Sequence, residues 1–178
     1  MNSELTIPAF LHEVHGKKAS VMDLVLTYFT AFALAVVSYL LMDNLELKSW
    51  ETGILLLLAM DIGGGVVANF SRGTSTYYAE SPKARRTFVA MHLSQPALLA
   101  WVFPGSLVTI MSICAYTLIT TSFVNMIRLQ EKQRVFASFF LSLGLMLFFL
   151  LPTVQPIIYL ILILYMVKLV MAFAVQWK

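Results

Sequence analysis

Gly53-Ile54-Leu55-Leu56-Leu57-Leu58-Ala59-Met60-Asp61-Ile62-Gly63-Gly64-Gly65-Val66-Val67-Ala68-Asn69-Phe70 is the stretch whose reading decides the fold. A hydrocarbon layer about 30 Å thick needs roughly 20 apolar residues per helix. The run is continuous, as is Leu145–Leu151. Barrel strands would alternate apolar and polar side chains. A helix satisfies its own backbone in lipid and is the remaining way to cross it. Working outward, five more runs of this kind appear. They are Ala19–Met42, Thr87–Phe103, Gly105–Met126, Val135–Leu151 and Ile157–Trp177.

The breaks between runs are short. Asp43–Lys48 closes the first pair, Phe103-Pro104-Gly105 the second, and Pro152 and Pro156 bracket the third. Pro and Gly punctuate helices most strongly. The predicted fold is an all-α membrane protein of six transmembrane helices, arranged as three antiparallel hairpins. A cytoplasmic amphipathic segment, residues 1–18, precedes the six-helix domain of residues 19–178. In the leader, Ile7, Phe10, Leu11 and Val14 recur at helical spacing, which predicts a short amphipathic helix lying on the inner leaflet.

Composition agrees. Of 178 residues, 60% are hydrophobic and 12% charged, against roughly 45–50% and about 25% in soluble domains. That excludes a soluble enzyme, a disordered chain and, with Cys114 as the one cysteine, an internally disulfide-bonded scaffold. The apolar run after Lys17 and Lys18 is too long for a signal-peptide core of about 7–15 residues, so no cleaved signal is expected.

Basic residues orient the chain. Lys17, Lys18, Arg72, Lys83, Arg85, Arg86, Arg128, Lys132, Arg134 and Lys178 fall on one side, and Lys48 on the other. Both termini are therefore expected in the cytoplasm, in a plasma or bacterial inner membrane.

Ionisable residues inside a span are costly and face the interior or a cavity. Asp61, His92 and Lys168 are such residues. At 1.5 Å per residue, Asp61, Gln95 and Lys168 lie roughly 12–14 Å from the cytoplasmic ends and His92 roughly 8 Å. Asp61 and Lys168 thus share a level and are expected to pair, for packing or for function. Asp61, Gly65, Asn69 and Arg72 share a helix face, and so do Arg85, Phe88, His92 and Gln95. Gly63, Gly64 and Gly65 permit either close helix packing or local unwinding that frees backbone to a ligand. Pro96 removes a donor from its helix and is expected to break it after Gln95, loosening the His92 carbonyl. His92 itself can switch charge near neutral pH.

Ser71–Arg86 reads as a long loop. Its Arg72, Lys83, Arg85 and Arg86 suit anionic lipid headgroups. A metal site built from His12, His15, His92 and Asp61 is the lesser reading, since His-Glu-Val-His lacks the i, i+4 histidines of the zinc-protease helix. No cofactor is otherwise expected, and no nucleic acid. The expected partners are the bilayer, its anionic headgroups and a small polar ligand or lipid, and a homo-oligomer is compatible with the sequence. Substrate- or ion-binding residues are expected at Asp61, His92, Gln95, Lys168, Asn69, Gly63, Gly64 and Gly65. Three functions fit. The foremost is a transporter or channel for a small polar solute or ion. The others are a membrane-embedded enzyme acting on a lipid, and a structural or regulatory membrane subunit.

Overall fold

The computed structural model describes residues 4–177; Lys178, counted above among the basic residues, lies outside them. Four helical stretches are long and apolar enough to cross a membrane: Val21–Leu41, Ser49–Phe70, Pro104–Met126 and Pro156–Phe173. The helices in chain order are α1 (His12–His15), α2 (Val21–Leu41), α3 (Ser49–Phe70), α4 (Arg72–Ala79), α5 (Pro82–Met91), α6 (Ser94–Val102), α7 (Leu107–Met126), α8 (Gln130–Phe148) and α9 (Pro156–Met166). A π-helical segment, Val167–Phe173, continues α9.

The other two expected spans are built differently. Thr87–Phe103 is divided between α5 and α6, with the break at His92 and Leu93. That is one turn earlier than expected. A proline ring clashes with the carbonyl four residues back, and four residues before Pro96 is His92. The run Val135–Leu151 lies in α8, whose first turns carry Glu131, Lys132 and Arg134. The uncharged remainder, Val135–Phe148, is about 21 Å long at 1.5 Å per residue.

α2 and α3 pack through small residues. Thr27, Ala31, Leu34, Ala35 and Ser38 form the buried face of α2. They meet Gly63 and Gly64, where an added Cβ would come 2.9 Å from Leu34 Cβ and 3.2 Å from Ala31 Cβ respectively. The glycines therefore serve close packing, and α3 stays helical through them. The opposite face of α2 exposes Phe29, Phe32, Tyr39 and Leu40. α9 is apolar all round and central, with Ile157, Ile158, Ile161, Leu162 and Met166 buried, as expected of a core helix.

Two regions depart from the expectation. Ser71–Arg86 is largely helical. The Ser71 hydroxyl accepts from Thr74 N–H at 3.3 Å and opens α4. The Ser81 hydroxyl accepts from Ala84 N–H at 3.2 Å, with Pro82 in the first turn, and opens α5. The N-terminal segment forms no extended amphipathic helix. Glu4–Thr6 (β1) pairs antiparallel with Lys18–Ser20 (β2). Helical turns occupy only Ala9–His15. Gly16, at φ 74°, ends them in the left-handed region that favours glycine, and its backbone packs directly on Gly73 of α4.

His15 anchors this strap. It is buried, and its Nε2 lies 3.0 Å from the Tyr28 hydroxyl. Burial lowers its pKa below the usual histidine value. A histidine whose folded pKa is depressed stabilises the fold only while neutral. Its contribution is therefore complete above about pH 6.5 and is lost as pH falls below that value. The hydrogen-exchange protection factors across residues 4–20, with the intrinsic pH dependence of exchange divided out, should fall between pH 7.5 and pH 5, and His15→Gln should flatten that dependence. Equal pH profiles for the two proteins would remove His15 as the cause.

Candidate functional site

Residues 107 positions apart meet where α3 faces the π-helical end of α9. Lys168 Nζ donates to Asp61 Oδ2 at 2.9 Å and to the Asp61 carbonyl at 3.2 Å. Gln95 Nε2, from the first turn of α6, donates to the same Oδ2. Asn69 Nδ2 donates to the Lys168 carbonyl at 3.4 Å. The lysine stem lies directly on Gly65, where a Cβ would collide with its Cδ, Cε and Nζ. Gly65 thus makes the room in which a long basic side chain can be buried.

The pair is lopsided. The Lys168 side chain is 2% exposed and that of Asp61 60%. Both protein donors converge on Oδ2. Among the described residues none donates to Oδ1. Gln95 must turn its NH2 toward the carboxylate, because a carboxylate only accepts. Its Oε1 is then left buried without a partner.

His92 ends α5 beside this pair. Its Nδ1 lies 2.7 Å from the Phe88 carbonyl. A carbonyl cannot donate, so Nδ1 carries a proton, and in the neutral ring Nε2 presents a lone pair. The imidazole lies tilted against Phe88 (centroids 4.0 Å apart, planes at 33°), which stacks on Phe173 (3.9 Å). The His92 carbonyl, which Pro96 deprives of its helical donor, accepts from the buried Tyr165 hydroxyl at 3.0 Å.

Two adjoining cavities share Asp61, Met91 and His92. One, of about 360 Å³, is walled by Ile54, Leu57, Leu58 and Leu98 between α3 and α6. The other, of about 380 Å³, runs past Thr87 and Ala84 to Ser81, Lys83 and Glu13 at the basic end. Leu57 and Met91 stand exposed on the rim. Away from the basic end, the bundle is filled by Leu55, Ile110, Phe148, Ile157, Ile158 and Ile161.

The basic residues divide. Arg72, Lys83 and Arg86 are exposed. Arg85, expected at a headgroup, is buried instead. Its Nη2 donates to the carbonyls of Phe173 and Ala174 at 2.9 and 3.0 Å and to Asn125 Oδ1. It thereby caps the carboxyl end of the α9 segment, where a cation is favoured. The four candidate metal ligands are not gathered. His12 Nε2 lies 2.8 Å from the Ile7 carbonyl and His15 turns to Tyr28, while His92 and Asp61 line the cavities. Among the described residues no three His, Cys, Asp or Glu side chains converge.

Tyr165, Phe173 and the apolar wall were not singled out from the sequence. Tyr165 carried a signal, as a hydroxyl one turn before Lys168 in an otherwise aliphatic run. Leu57 lies one turn before Asp61 on the same face, so the groove's apolar side was also within reach of helical spacing. No protein-family model, curated protein or solved structure matches this chain.

Proposed function

We propose that the chain is an integral membrane protein that binds an amphipathic, lipid-like ligand in a laterally open groove between α3 and α6. One observation carries the reading: a polar cavity at the basic end runs into an apolar one, and the two share Asp61 and His92. A headgroup fits the first and a chain the second. In an enzymatic form of this function, His92 Nε2 is the available base beside the ligand head. Leu57→Trp fills the apolar cavity from its rim. Native mass spectrometry of protein extracted in mild detergent should show a retained amphiphile in the wild type and its loss in Leu57→Trp at unchanged melting temperature. Retention of the same species by both proteins would overturn the reading.

Solute transport keeps one specific support. The α5–α6 break and the π-helical turn around Lys168 meet at the same site, and interrupted helices at one depth mark transport sites. The packed apolar core beyond Asp61 favours the groove.

In the membrane, α5–α6 and α8 complete six crossings, as three hairpins with the basic end in the cytoplasm. Single cysteines at Asp43 and Gln155 should then react with an impermeant label from outside the cell. Cysteines at Lys83 and Glu131 should react only after permeabilisation. The native Cys114 is buried and should stay silent. Labelling at Lys83 from outside would break the six-crossing arrangement.

A further inference from the structure

We infer that the groove selects an uncharged, hydroxyl-bearing head on a long alkyl chain, of the acylglycerol or long-chain alcohol class. The inference rests on the lipid-groove reading above and adds the chemistry of the head.

The free polar atoms at the junction of the two cavities are acceptors. Asp61 Oδ1 is unpaired and belongs to a side chain 60% exposed. In the neutral ring His92 Nε2 is a lone pair, because Nδ1 is committed to Phe88. Lys168 and Gln95 direct their amino and amide groups at Asp61 Oδ2, while the hydroxyls of Tyr78, Ser81 and Thr87 line the polar cavity beyond, and a hydroxyl head can donate to the first set and accept from the second. In a low-dielectric setting an unpaired carboxylate oxygen is costly, so the ligand that settles there has to donate.

Its charge follows from the same residues. Asp61 is neutralised by Lys168, and at the polar mouth Glu13 faces the same cavity as Lys83. A cationic head meets Lys83 at the mouth, and an anionic head meets Asp61 and Glu13. A hydroxyl donates without adding charge. One hydroxyl reaching Asp61 Oδ1 and a second reaching His92 Nε2 suit a head with two hydroxyls, such as a monoacylglycerol, and a single alcohol takes the first alone. The chain then lies along Ile54, Leu57 and Leu98.

Three probes with one chain and different heads separate the possibilities: 1-oleoylglycerol, oleate and oleylamine, titrated against the detergent-purified protein by native mass spectrometry and by thermal shift. 1-Oleoylglycerol should bind at least about tenfold more tightly than either charged probe, the size of one hydrogen bond to a charged group. His92→Phe, which keeps the ring contact with Phe88, should reduce that preference. Gln95→Leu is the second variant should His92→Phe fail to fold. Tighter binding of oleylamine or oleate, or equal binding of all three that is still abolished by Leu57→Trp, overturns the head chemistry and leaves the groove standing. Binding of no probe, or binding indifferent to Leu57→Trp, overturns the groove reading itself.

Discussion

Asp61→Asn and Lys168→Met are each expected to destabilise the protein, to different degrees, and the double variant by less than their sum. The Lys168 ammonium is 2% exposed. Removing its counter-charge strands it in the interior, at a cost of about 3–5 kcal/mol, or forces it to shed its proton. Lys168→Met is milder, about 1–2 kcal/mol. The carboxylate left behind is more than half exposed and keeps the Gln95 donor. The double variant has no orphan charge and should recover on the order of 1–3 kcal/mol of the summed loss. Thermal unfolding in detergent reads all three. Strictly additive losses would mean that the two side chains do not interact.

Arg85→Leu is the second large effect expected. The guanidinium satisfies the Phe173 and Ala174 carbonyls and Asn125 Oδ1 together. Each buried acceptor left without a donor costs about 1–3 kcal/mol, so a total loss on the order of 3–5 kcal/mol is expected. Arg85→Lys should restore only part of it. One ammonium is a compact point of charge, whereas the planar guanidinium presents a fixed fork of donors. The lost stacking over Phe173, whose centroid lies 4.9 Å from the guanidinium carbon, should loosen the Phe88–His92 contact as well. Accelerated hydrogen exchange at His92 in Arg85→Lys would report that loosening. An unchanged melting temperature in Arg85→Leu would show that water or lipid satisfies these carbonyls instead.

The long apolar helices were legible because continuous hydrophobic runs report the solvent around a helix directly. The level shared by Asp61 and Lys168 was legible for a related reason, since a rise of 1.5 Å per residue converts sequence position into depth. Local signals for α5 were also in the chain. Ser81-Pro82 is a cap followed by a residue suited to the first turn, yet the density of basic and hydroxyl residues around it reads as a loop. The inward turn of Arg85 had one local signal, the helix face it shares with Phe88, His92 and Gln95, but its acceptors lie 88 and 89 positions away and the basic residues around it read as headgroup contacts. The π-helical turn was equally hidden. Its ties to Asp61, Asn69 and Arg85 all come from residues 88 or more positions earlier. The leader's apolar spacing at Phe10, Leu11 and Val14 was genuine, but Gly16 and the β1–β2 pairing limited it to Ala9–His15.

Four of the polar ties that complete the site reach forward to α9 and its continuation. Asp61 finds its lysine 107 positions later, Asn69 its carbonyl 99 later, Arg85 its first carbonyl 88 later and the His92 carbonyl its hydroxyl 73 later. A ribosome adds roughly 5–20 residues per second, so the Asp61 carboxylate waits on the order of 5–20 s for its partner. During that interval α2 and α3 can already pack through Gly63 and Gly64 of α3, yet the groove has no lysine to pair its acid. A nascent chain at that stage displays an acid and a guanidinium with nothing to hold. The acid is neutralised and the guanidinium finds its carbonyls only when the last helix is made, so the site is completed by the final segment of the chain.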